Sequence, residues 1–332
     1  MGDTRFDVCG IGNAIVDIIG RCDDAFLAAH GAAKGHMQLV DAETVATLYD
    51  AMGPAVEISG GSGANTMVGI ASFGGKAAFI GKVGRDDFGS VFAHDIKAAG
   101  VTFETAPSDS TSPTARSLIL VTPDGERTMN TFLGVSPELG SGEIDQNLIA
   151  DSAVTYLEGY LFDRDEAKAA FAEAAGYAKA AGRKVALTLS DGFCVDRHRD
   201  SFLQLIRNDI DILFANEDEI TSLYSTQSFD DAARQVGEDT HLAVLTRSAK
   251  GSTVISGADR TTVDAVPIAE VVDTTGAGDL YAAGFLYGHT RGLDHATSAR
   301  LGSIAAAEII SHVGARPETN LAELAKDNGL IS

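Results

Sequence analysis

The sequence predicts an α/β fold built on a mostly parallel central sheet, with a small β-sheet appendage. Short apolar segments rich in β-branched residues recur along the chain, among them FDVCGIG, AAFIGKVG, KVALTLS and DILFAN. Helix-like stretches rich in Ala, Leu, Lys and Glu separate most of these segments. This alternation is expected of βαβ units around a buried parallel sheet, so the main body is predicted to be α/β.

Two regions interrupt the alternation, at about residues 15–57 and 101–133. In the second, TARSLILVTPDGERTMNTFLG predicts a strand, a Pro-Asp-Gly turn and a second strand. No low-complexity linker or internal repeat marks a boundary between independent domains. We therefore predict one domain over residues 1–332, interrupted by these two insertions, which form the appendage.

Composition limits the classes of function. The chain has 332 residues, of which 45% are hydrophobic, enough to fill a sizeable core. Its 47 acidic and 25 basic residues give a formal charge of -22, which opposes binding to nucleic acid or to an anionic membrane. Three cysteines without a CxxC pair predict neither disulfides nor a zinc site, as is typical of a reducing cytoplasm. The start of the chain lacks the apolar run of a signal peptide, and we expect a cytoplasmic protein without a membrane anchor.

The stretch VVDTTGAGDLYAAGFL places glycines and an acid at the start of a predicted helix. The backbone N–H groups of Gly276, Ala277 and Gly278 would be unpaired there and could bind an anion. Asp279 could take a proton from an attacking hydroxyl while these amides stabilise a transferred phosphoryl group. The alternative is that Asp279 only caps a helix whose glycines pack against a strand.

A second glycine-rich stretch, ISGGSGANTMVG, also opens a predicted helix. Gly60 and Gly61 would let a sugar ring lie against the backbone, and Asn65 would add an amide side chain. Near the N-terminus, GIGNAIVDIIG supplies Asn13 and Asp17, and a carboxylate such as Asp17 can accept hydrogen bonds from two neighbouring hydroxyls. The alternatives are that the glycine-rich stretch only forms a tight connection at a domain edge, and that Asp17 is a surface or turn residue.

Other nucleotide and metal motifs are absent from the sequence. Ile15 occupies the position of the third glycine of a dinucleotide fingerprint, which argues against a nicotinamide dehydrogenase. Residues 74–77 lack the Ser or Thr of a P-loop, and the eight histidines are scattered. We expect no tightly held catalytic metal, and a divalent ion would arrive with a nucleotide.

Four motifs, which follow one another along the chain in the family's order, resemble those of the ribokinase-like, or PfkB, family of carbohydrate and nucleoside kinases. DTTGAGDLYAAGFL is similar to the second signature of that family, and GGSGANTMVGIASFGG to the first. NEDE, Asn216 to Glu219, resembles the NxxE motif, and LTRSAKGS, Leu245 to Ser252, a TxGxxG-type turn. Met67 and Ser248 depart from the pattern, since the family usually has a small residue and a glycine there.

The resemblance implies a ribokinase-like three-layer domain in which the appendage is a small β-sheet lid, and a kinase that uses ATP and Mg²⁺. Asp279 would be the catalytic base, beside an anion hole formed by Gly276, Ala277 and Gly278. The implied contacts to nucleotide and magnesium are Asn216, Glu219, Thr246 and Gly251. The implied contacts to the acceptor are Asp17, Gly61 and Asn65, and Asn13 and Gly60, singled out above, complete the predicted acceptor site. In some members the positions of Asp273 and Thr275 hold a monovalent cation such as K⁺.

Within the family, GNAIVDII, GERTM and YLEGYLF look most like adenosine kinases. In adenosine kinases, an arginine matching Arg127 reaches the transferring phosphate from the small domain. Tyr160 and Leu161 fall where those kinases contact the base of the nucleoside. Tyr160 could instead belong to the core. The resemblance therefore implies a kinase of a primary ribose hydroxyl, with adenosine favoured, that acts as a monomer or a homodimer. A kinase of a free sugar and an inactive nucleoside or sugar sensor are the alternatives.

Overall fold

The computed structural model describes residues 4–331, in which fourteen strands form two sheets. The strands are β1 Phe6–Ile11, β2 Ile15–Arg21, β3 Met37–Leu39, β4 Ala55–Gly60, β5 Ala77–Ile80, β6 Thr102–Phe103, β7 Ala115–Val121, β8 Arg127–Phe132, β9 Ser152–Glu158, β10 Lys184–Thr188, β11 Ile212–Asn216, β12 Leu242–Thr246, β13 Ser252–Ser256 and β14 Asp259–Val263.

Twelve α-helices accompany these strands within the described part of the chain. They are α1 Asp24–Ala29, α2 Ala42–Ala51, α3 Ser62–Ser72, α4 Asp87–Ala98, α5 Gln146–Ala150, α6 Asp165–Ala180, α7 Gly192–Asp209, α8 Glu217–Leu223, α9 Phe229–Asp239, α10 Ala277–Thr290, α11 His295–Ile309 and α12 Leu321–Asp327. None of the helices within residues 4–331 is long and apolar enough to cross a lipid bilayer.

The large sheet has nine strands in the order β14-β13-β12-β11-β10-β9-β1-β5-β6. All pairs from β12 to β6 are parallel, and β13 and β14 add an antiparallel edge. Strands β5 and β9 are buried along their whole length, as expected of strands covered on both faces. The predicted α/β class and mostly parallel sheet are confirmed.

Helices cover both faces of this sheet. Leu157 of β9 belongs to the same buried cluster as Phe171 of α6, together with residues of α7, α8 and α9. Its neighbour Tyr156 belongs to a second cluster with Phe285 of α10 and residues of α3, α4 and α11. Because successive side chains of a strand point to opposite faces, these clusters lie on opposite sides of the sheet. The domain therefore has three layers.

The second sheet has five strands in the order β3-β8-β7-β2-β4. Strands β7 and β8 form an antiparallel hairpin whose turn contains Gly125 at a φ of 86°. This is the predicted Pro-Asp-Gly hairpin, and the left-handed conformation explains the glycine. Strand β2 pairs with β7 in parallel and with β4 antiparallel, which joins the two inserted regions into one sheet.

The two faces of the small sheet differ. Val16 and Ile18 of β2 lie in the buried cluster that contains Leu48 of α2. Asp17 lies between them and therefore faces the other way. The registers of β2 with β7 and of β7 with β8 place Arg127 on the same face as Asp17. This face carries the two charged residues predicted for the site.

The small sheet differs in detail from the predicted insertions. The first segment contains helices α1 and α2 besides its strands, and β4 continues to Gly60. In the second, Thr102 of β6 pairs with Ala78, so this strand belongs to the edge of the large sheet. The second contribution to the small sheet therefore starts at Ala115, because the chain first completes a βαβ unit through β5, α4 and β6.

Candidate active site

The predicted site residues gather where the parallel strands end. Strand β1 leads to Asn13, β9 leads to Tyr160, β11 ends at Asn216 and β12 ends at Thr246. The carboxyl ends of parallel strands share one edge of a sheet, and ligands of open α/β folds bind at that edge. Helices α3, α8 and α10 begin at the same edge, so their N-termini can face a ligand.

The turn before α10 has the geometry of an anion site. Gly276 has a φ of 80°, in the left-handed region, and α10 begins at the next residue. A Cβ on Gly276 would lie 2.9 Å from the Cβ of Ala315, so the turn also has no room for a side chain there. The N–H of Ala277 donates to the carbonyl of Thr274 at 3.2 Å. Of the three predicted amides, the turn therefore offers those of Gly276 and Gly278 to a ligand.

Two side chains from the first turn of α3 hold the carboxylate of Asp279. Ser62 Oγ donates to its Oδ1 at 2.6 Å, and Asn65 Nδ2 donates to its Oδ2 at 3.0 Å. Burial raises the pKa of Asp279, and the two hydrogen bonds and the guanidinium of Arg316 oppose that rise. Each carboxylate oxygen keeps a lone pair, so the group is oriented and able to accept a proton.

Asp17, Gly60 and Gly61, which were predicted to contact the acceptor, lie close together. A Cβ on Gly60 would lie 2.3 Å from Oδ2 of Asp17, so the glycine makes room for that carboxylate. Gly61 has a φ of 95°, and a Cβ there would lie 2.2 Å from the carbonyl oxygen of Asn13. Burial raises the pKa of Asp17 to about 6, while the charges of Arg316 and Arg127 oppose the rise.

The side-chain oxygen of Asn65 is available to a ligand. Its Oδ1 is buried and has no hydrogen-bond partner within the described residues, while its Nδ2 is used by Asp279. A buried amide oxygen without a donor is costly, and a hydroxyl of a ligand could supply that donor. Asn65 thus contacts the predicted base and presents an acceptor atom beside it.

The side chain of Asn13 forms hydrogen bonds within the protein. Its side chain is 4% exposed, its Nδ2 donates to Oε1 of Glu158 at 2.7 Å, and its Oδ1 accepts from Ser136 Oγ at 2.9 Å. The carboxylate of Glu158 also accepts from the backbone N–H groups of Gly63, at 2.7 Å, and of Asn13, at 3.2 Å. These bonds join the ends of β1 and β9 to the start of α3.

Glu158 is a buried acid that the sequence analysis did not single out. It is 1% exposed, and burial raises its pKa to about 7 despite the bonds from Gly63 and Asn13. A Cβ on Gly12 would lie 2.3 Å from its Oε2, so glycine is needed opposite the carboxylate. The pattern YLEG, an acid in an otherwise apolar strand, was the available signal.

The two residues expected to contact a base occupy different environments. Tyr160 is 39% exposed at the end of β9, and its N–H donates to Ser190 Oγ at 3.2 Å. Leu161 is 1% exposed and belongs to the buried cluster with Phe171 of α6. Tyr160 can therefore reach a ligand, whereas Leu161 packs in the core, because the two residues point in different directions from a short 3-10 helix, Gly159–Asp163.

The NEDE motif forms a capping box at the start of α8. Asn216 Oδ1 accepts from the N–H of Glu219 at 2.8 Å, and Glu219 Oε2 accepts from the N–H of Asn216 at 2.9 Å. Burial and the nearby carboxylates of Asp191, Asp218 and Asp279 raise the pKa of Glu219 to about 7, although the Asn216 bond lowers it. Within residues 4–331, no three His, Cys or acidic side chains are close enough to hold a metal ion by themselves.

The predicted nucleotide turn lies beside α8. Thr246 pairs with Asn216 across β11 and β12. Gly251 has a φ of 81°, and a Cβ there would lie 2.1 Å from the carbonyl oxygen of Val263. Ser248, where the family usually has glycine, has a φ of 48° and so keeps the left-handed conformation. Ser248 and Asn216 both line a cavity of about 510 Å³.

Arg127 and Asp273 form a buried ion pair between the small sheet and the turn before α10. Nη1 of Arg127 donates to Oδ2 of Asp273, and the two side chains are 7% and 5% exposed. Asp273 also accepts from the N–H groups of Thr275, at 3.0 Å, and Gly314, at 2.9 Å. Both oxygens of Asp273 are thus occupied, and Thr275 contributes a backbone donor to this carboxylate.

Sequence analysis missed three residues that the structure brings to the site. Ser62 lies three positions before Asn65, a spacing that puts both on one face of a helix, so its role could have been inferred. Glu158 could have been inferred from the YLEG pattern, an acid in an otherwise apolar strand. Arg316 approaches from the segment after α11, and nothing in its local sequence indicated a contact more than two hundred residues away along the chain.

Amides that hold an anion and a carboxylate that takes a proton are what phosphoryl transfer requires, since it is catalysed by positioning and charge stabilisation. The fold and the site therefore define a kinase of small molecules. The match to a family is more specific, because a model of the pfkB family of carbohydrate kinases covers residues 47–321. The chain belongs to this family.

Solved structures and curated relatives agree on the family and differ in acceptor. The adenosine kinase of Sinorhizobium meliloti is 52% identical, with a TM-score of 0.90 over 98% of this chain and 99% of that one. A protein of Rhizobium etli CFN 42 described as a probable sugar kinase is 50% identical, with a TM-score of 0.91 over 99% and 100%. A probable chloroplastic fructokinase of Arabidopsis thaliana is 31% identical over 68% of this chain and 61% of its own length, so the chain spans less than two thirds of that relative.

Proposed function

We propose that the protein transfers the γ-phosphoryl group of ATP to the 5′-hydroxyl of adenosine. The observation that carries the choice of acceptor is the 52% identity to an adenosine kinase over nearly the whole of both chains. The alternative within the family, a kinase of a free sugar, is favoured by the fructokinase relative. Both assignments involve the same phosphoryl transfer. They differ in whether a base is attached to the sugar.

The reaction needs one proton acceptor and one anion site. The acceptor oxygen forms a bond to the γ-phosphorus, the bond from that phosphorus to the bridging oxygen of ADP breaks, and the hydroxyl proton passes to Asp279. Ser62 and Asn65 orient the carboxylate for this step. The amides of Gly276 and Gly278 stabilise the charge on the phosphoryl oxygens without needing to reorganise.

The face of the small sheet that carries Asp17 suits a nucleoside. Asp17 can accept hydrogen bonds from two ribose hydroxyls. Across the paired strands, Ile58 lies opposite Asp17, and Met129 lies opposite Ile119 on the same face. Ile58 and Met129 are partly exposed, and Tyr160 supplies an exposed ring at the end of β9. Apolar and aromatic side chains beside a hydroxyl-binding carboxylate favour a purine attached to the sugar.

Nucleotide and magnesium would lie between α8, the turn after β12 and the start of α10. Asn216 and Glu219 would hold Mg²⁺ through water, and Thr246 and Gly251 would border the nucleotide. The bound ion supplies positive charge to the phosphates. Burial is the main cause of the raised pKa of Glu219, and the nearby carboxylates add to it; this excess of negative charge fits such an ion, because a cation would relieve the repulsion.

The small sheet would act as a lid that excludes water during transfer. Arg127 sits on this sheet and already reaches the turn before α10 through Asp273. When a triphosphate binds, Arg127 would exchange the carboxylate of Asp273 for a phosphate oxygen, which neutralises charge in a strongly acidic protein. Asp273, with Thr275, would then be free to take part in binding a monovalent cation.

ADP release, measured with Mg-ATP across adenosine, other nucleosides, ribose and fructose, tests the acceptor. We expect the highest kcat/KM with adenosine and a product with phosphate on the 5′-oxygen. Turnover of a free hexose without turnover of adenosine would reject the nucleoside in favour of a sugar. Saturable binding of adenosine without any ADP release would indicate the sensor.

A further inference from the structure

Arg316 is a partly buried cation that no part of the proposed reaction uses. It follows α11, and its guanidinium reaches the junction between the small sheet and α3. Nε donates to the carbonyl of Ser59 at 2.9 Å, and Nη1 donates to the carbonyl of Ala64 at 3.2 Å. Nη2 donates to the carbonyl and, at 2.9 Å, to the Oγ of Ser59. Because most of its donors are engaged by the protein, Arg316 is not placed to bind a substrate directly.

The bonds of Arg316 connect the elements that build the site. Ser59 is the penultimate residue of β4, and its N–H and Oγ donate to Asp95 of α4 at 2.8 and 2.6 Å. Ala64 lies in the first turn of α3, between the two residues that hold Asp279. The segment preceding Arg316 lies against the anion turn, since Ala315 approaches Gly276. The side chain of Arg316 thus joins the small sheet to α3, Ser59 extends this link to α4, and the neighbouring Ala315 lies against the turn before α10.

Arg316 also brings a positive charge to this region. Asp17, Asp95 and Asp279 act on its guanidinium, and burial lowers its pKa to about 10 in spite of them. Besides burial, the charge of Asp279 helps to raise the pKa values of Asp17, Glu158 and Glu219, so the region is crowded with acids. Arg316 is the cation that favours the ionised form of Asp279.

We propose that Arg316 is a positioning residue for phosphoryl transfer, a role that rests on the function proposed above. Its guanidinium fixes the first turn of α3, from which Ser62 and Asn65 hold Asp279, and its charge favours the ionised form of that carboxylate. Asp279 can accept the proton of the attacking hydroxyl only in this ionised form. Arg316 acts through Asp279 and does not touch the reacting atoms.

Arg316→Met and Arg316→Lys separate the two parts of this role. Kinetics are measured from pH 5 to pH 9, with any acceptor that the wild-type protein phosphorylates. For Arg316→Met we expect kcat at pH 7 to fall about 10-fold or more, and the acidic limb of kcat/KM to move up by about one pH unit. Arg316→Lys keeps the charge but cannot contact Ser59 and Ala64 together, so kcat falls while the acidic limb stays in place. The matched control is Arg234→Met, which removes an exposed arginine of α9 and should change neither quantity.

An acidic limb for Arg316→Met at the wild-type pH would overturn the electrostatic part of the proposal. A wild-type kcat for Arg316→Lys would overturn the positioning part. Should Arg316→Met not fold, Arg316→Gln removes the same charge while keeping an amide donor for Ser59, and the same shift is expected.

A second readout needs no substrate. The free energy of unfolding is measured against pH for proteins with and without Asp279→Asn, in the wild-type, Arg316→Lys and Arg316→Gln backgrounds. The pH at which the difference between each pair changes reports the pKa of Asp279. We expect this pH to be higher in Arg316→Gln than in wild type and unchanged in Arg316→Lys. If the kinase assay finds no acceptor, the proposed function fails while this titration still decides the role of Arg316.

Discussion

Gly60→Ala tests the contact between Asp17 and the acceptor without changing a charged residue. The added Cβ would lie 2.3 Å from Oδ2, 2.4 Å from Cγ and 2.7 Å from Oδ1 of Asp17. Such distances are far inside van der Waals contact, so the carboxylate must rotate away from its position. Gly60 does not have a positive φ, so the alanine adds no backbone strain at this position.

The size of the effect follows from the bonds that Asp17 would lose. Hydrogen bonds to a charged group contribute about 1.5 to 3 kcal/mol, which corresponds to about a 10- to 150-fold rise in KM for the acceptor. We expect KM for ATP to stay within about threefold, because Thr246 and Gly251, which we propose to border the nucleotide, belong to other elements than Gly60. Steady-state kinetics with each substrate varied in turn measure both constants.

The matched control is Gly176→Ala in α6, where nothing lies within 4 Å of the added Cβ. This variant should gain about 0.5 to 1 kcal/mol of stability and keep both KM values. If Gly60→Ala folds as wild type does and binds the acceptor equally well, Asp17 does not recognise the acceptor.

Three further predictions concern stability, each measured by urea unfolding. Ser248→Gly should raise the free energy of unfolding by about 0.5 to 1 kcal/mol, because it relieves a left-handed serine, whereas Ser248→Ala should give no gain. Burial raises the pKa of Glu158 to about 7, so the folded protein retains a proton that the unfolded chain has lost. The free energy of unfolding should therefore fall between about pH 5 and pH 8, and Glu158→Gln should remove this part of the fall, leaving a flatter profile. Arg127→Ala should cost about 2 to 3 kcal/mol by leaving Asp273 unpaired, and adding Asp273→Asn should recover part of that loss; a cost of the double variant equal to the sum of the costs of Arg127→Ala and Asp273→Asn would show that the pair is not coupled.

Much of the fold could be predicted because its patterns are local. The apolar segments of β1, β5, β9, β10 and β11 and the Ala-rich α6 each carry their own periodicity, and the Pro-Asp-Gly turn marks its hairpin. The assignment of Thr102 to the large sheet could not be predicted, because a two-residue strand has no period. Its place depends on pairing with Ala78, which lies more than twenty residues away along the chain.

The site was predictable where a motif contains both partners. Gly276 and Asp279 belong to one turn, and their proximity follows from the start of a helix. The contact between Arg127 and Asp273 depends on how the small sheet approaches the main domain, and Arg316 depends on the path of the chain after α11. Such contacts between distant segments leave no periodic signal in a single sequence.

The central claim is that Asp279 accepts the proton of the attacking hydroxyl, and Asp279→Asn tests it most directly. The asparagine keeps the size of the side chain but cannot take the proton. With Mg-ATP and adenosine at about pH 7.5, kcat should fall by about 10² to 10⁴, while KM for both substrates stays within a few fold. A variant whose kcat remained within about threefold of wild type, on a protein shown to phosphorylate adenosine, would contradict the assignment of Asp279 as the base.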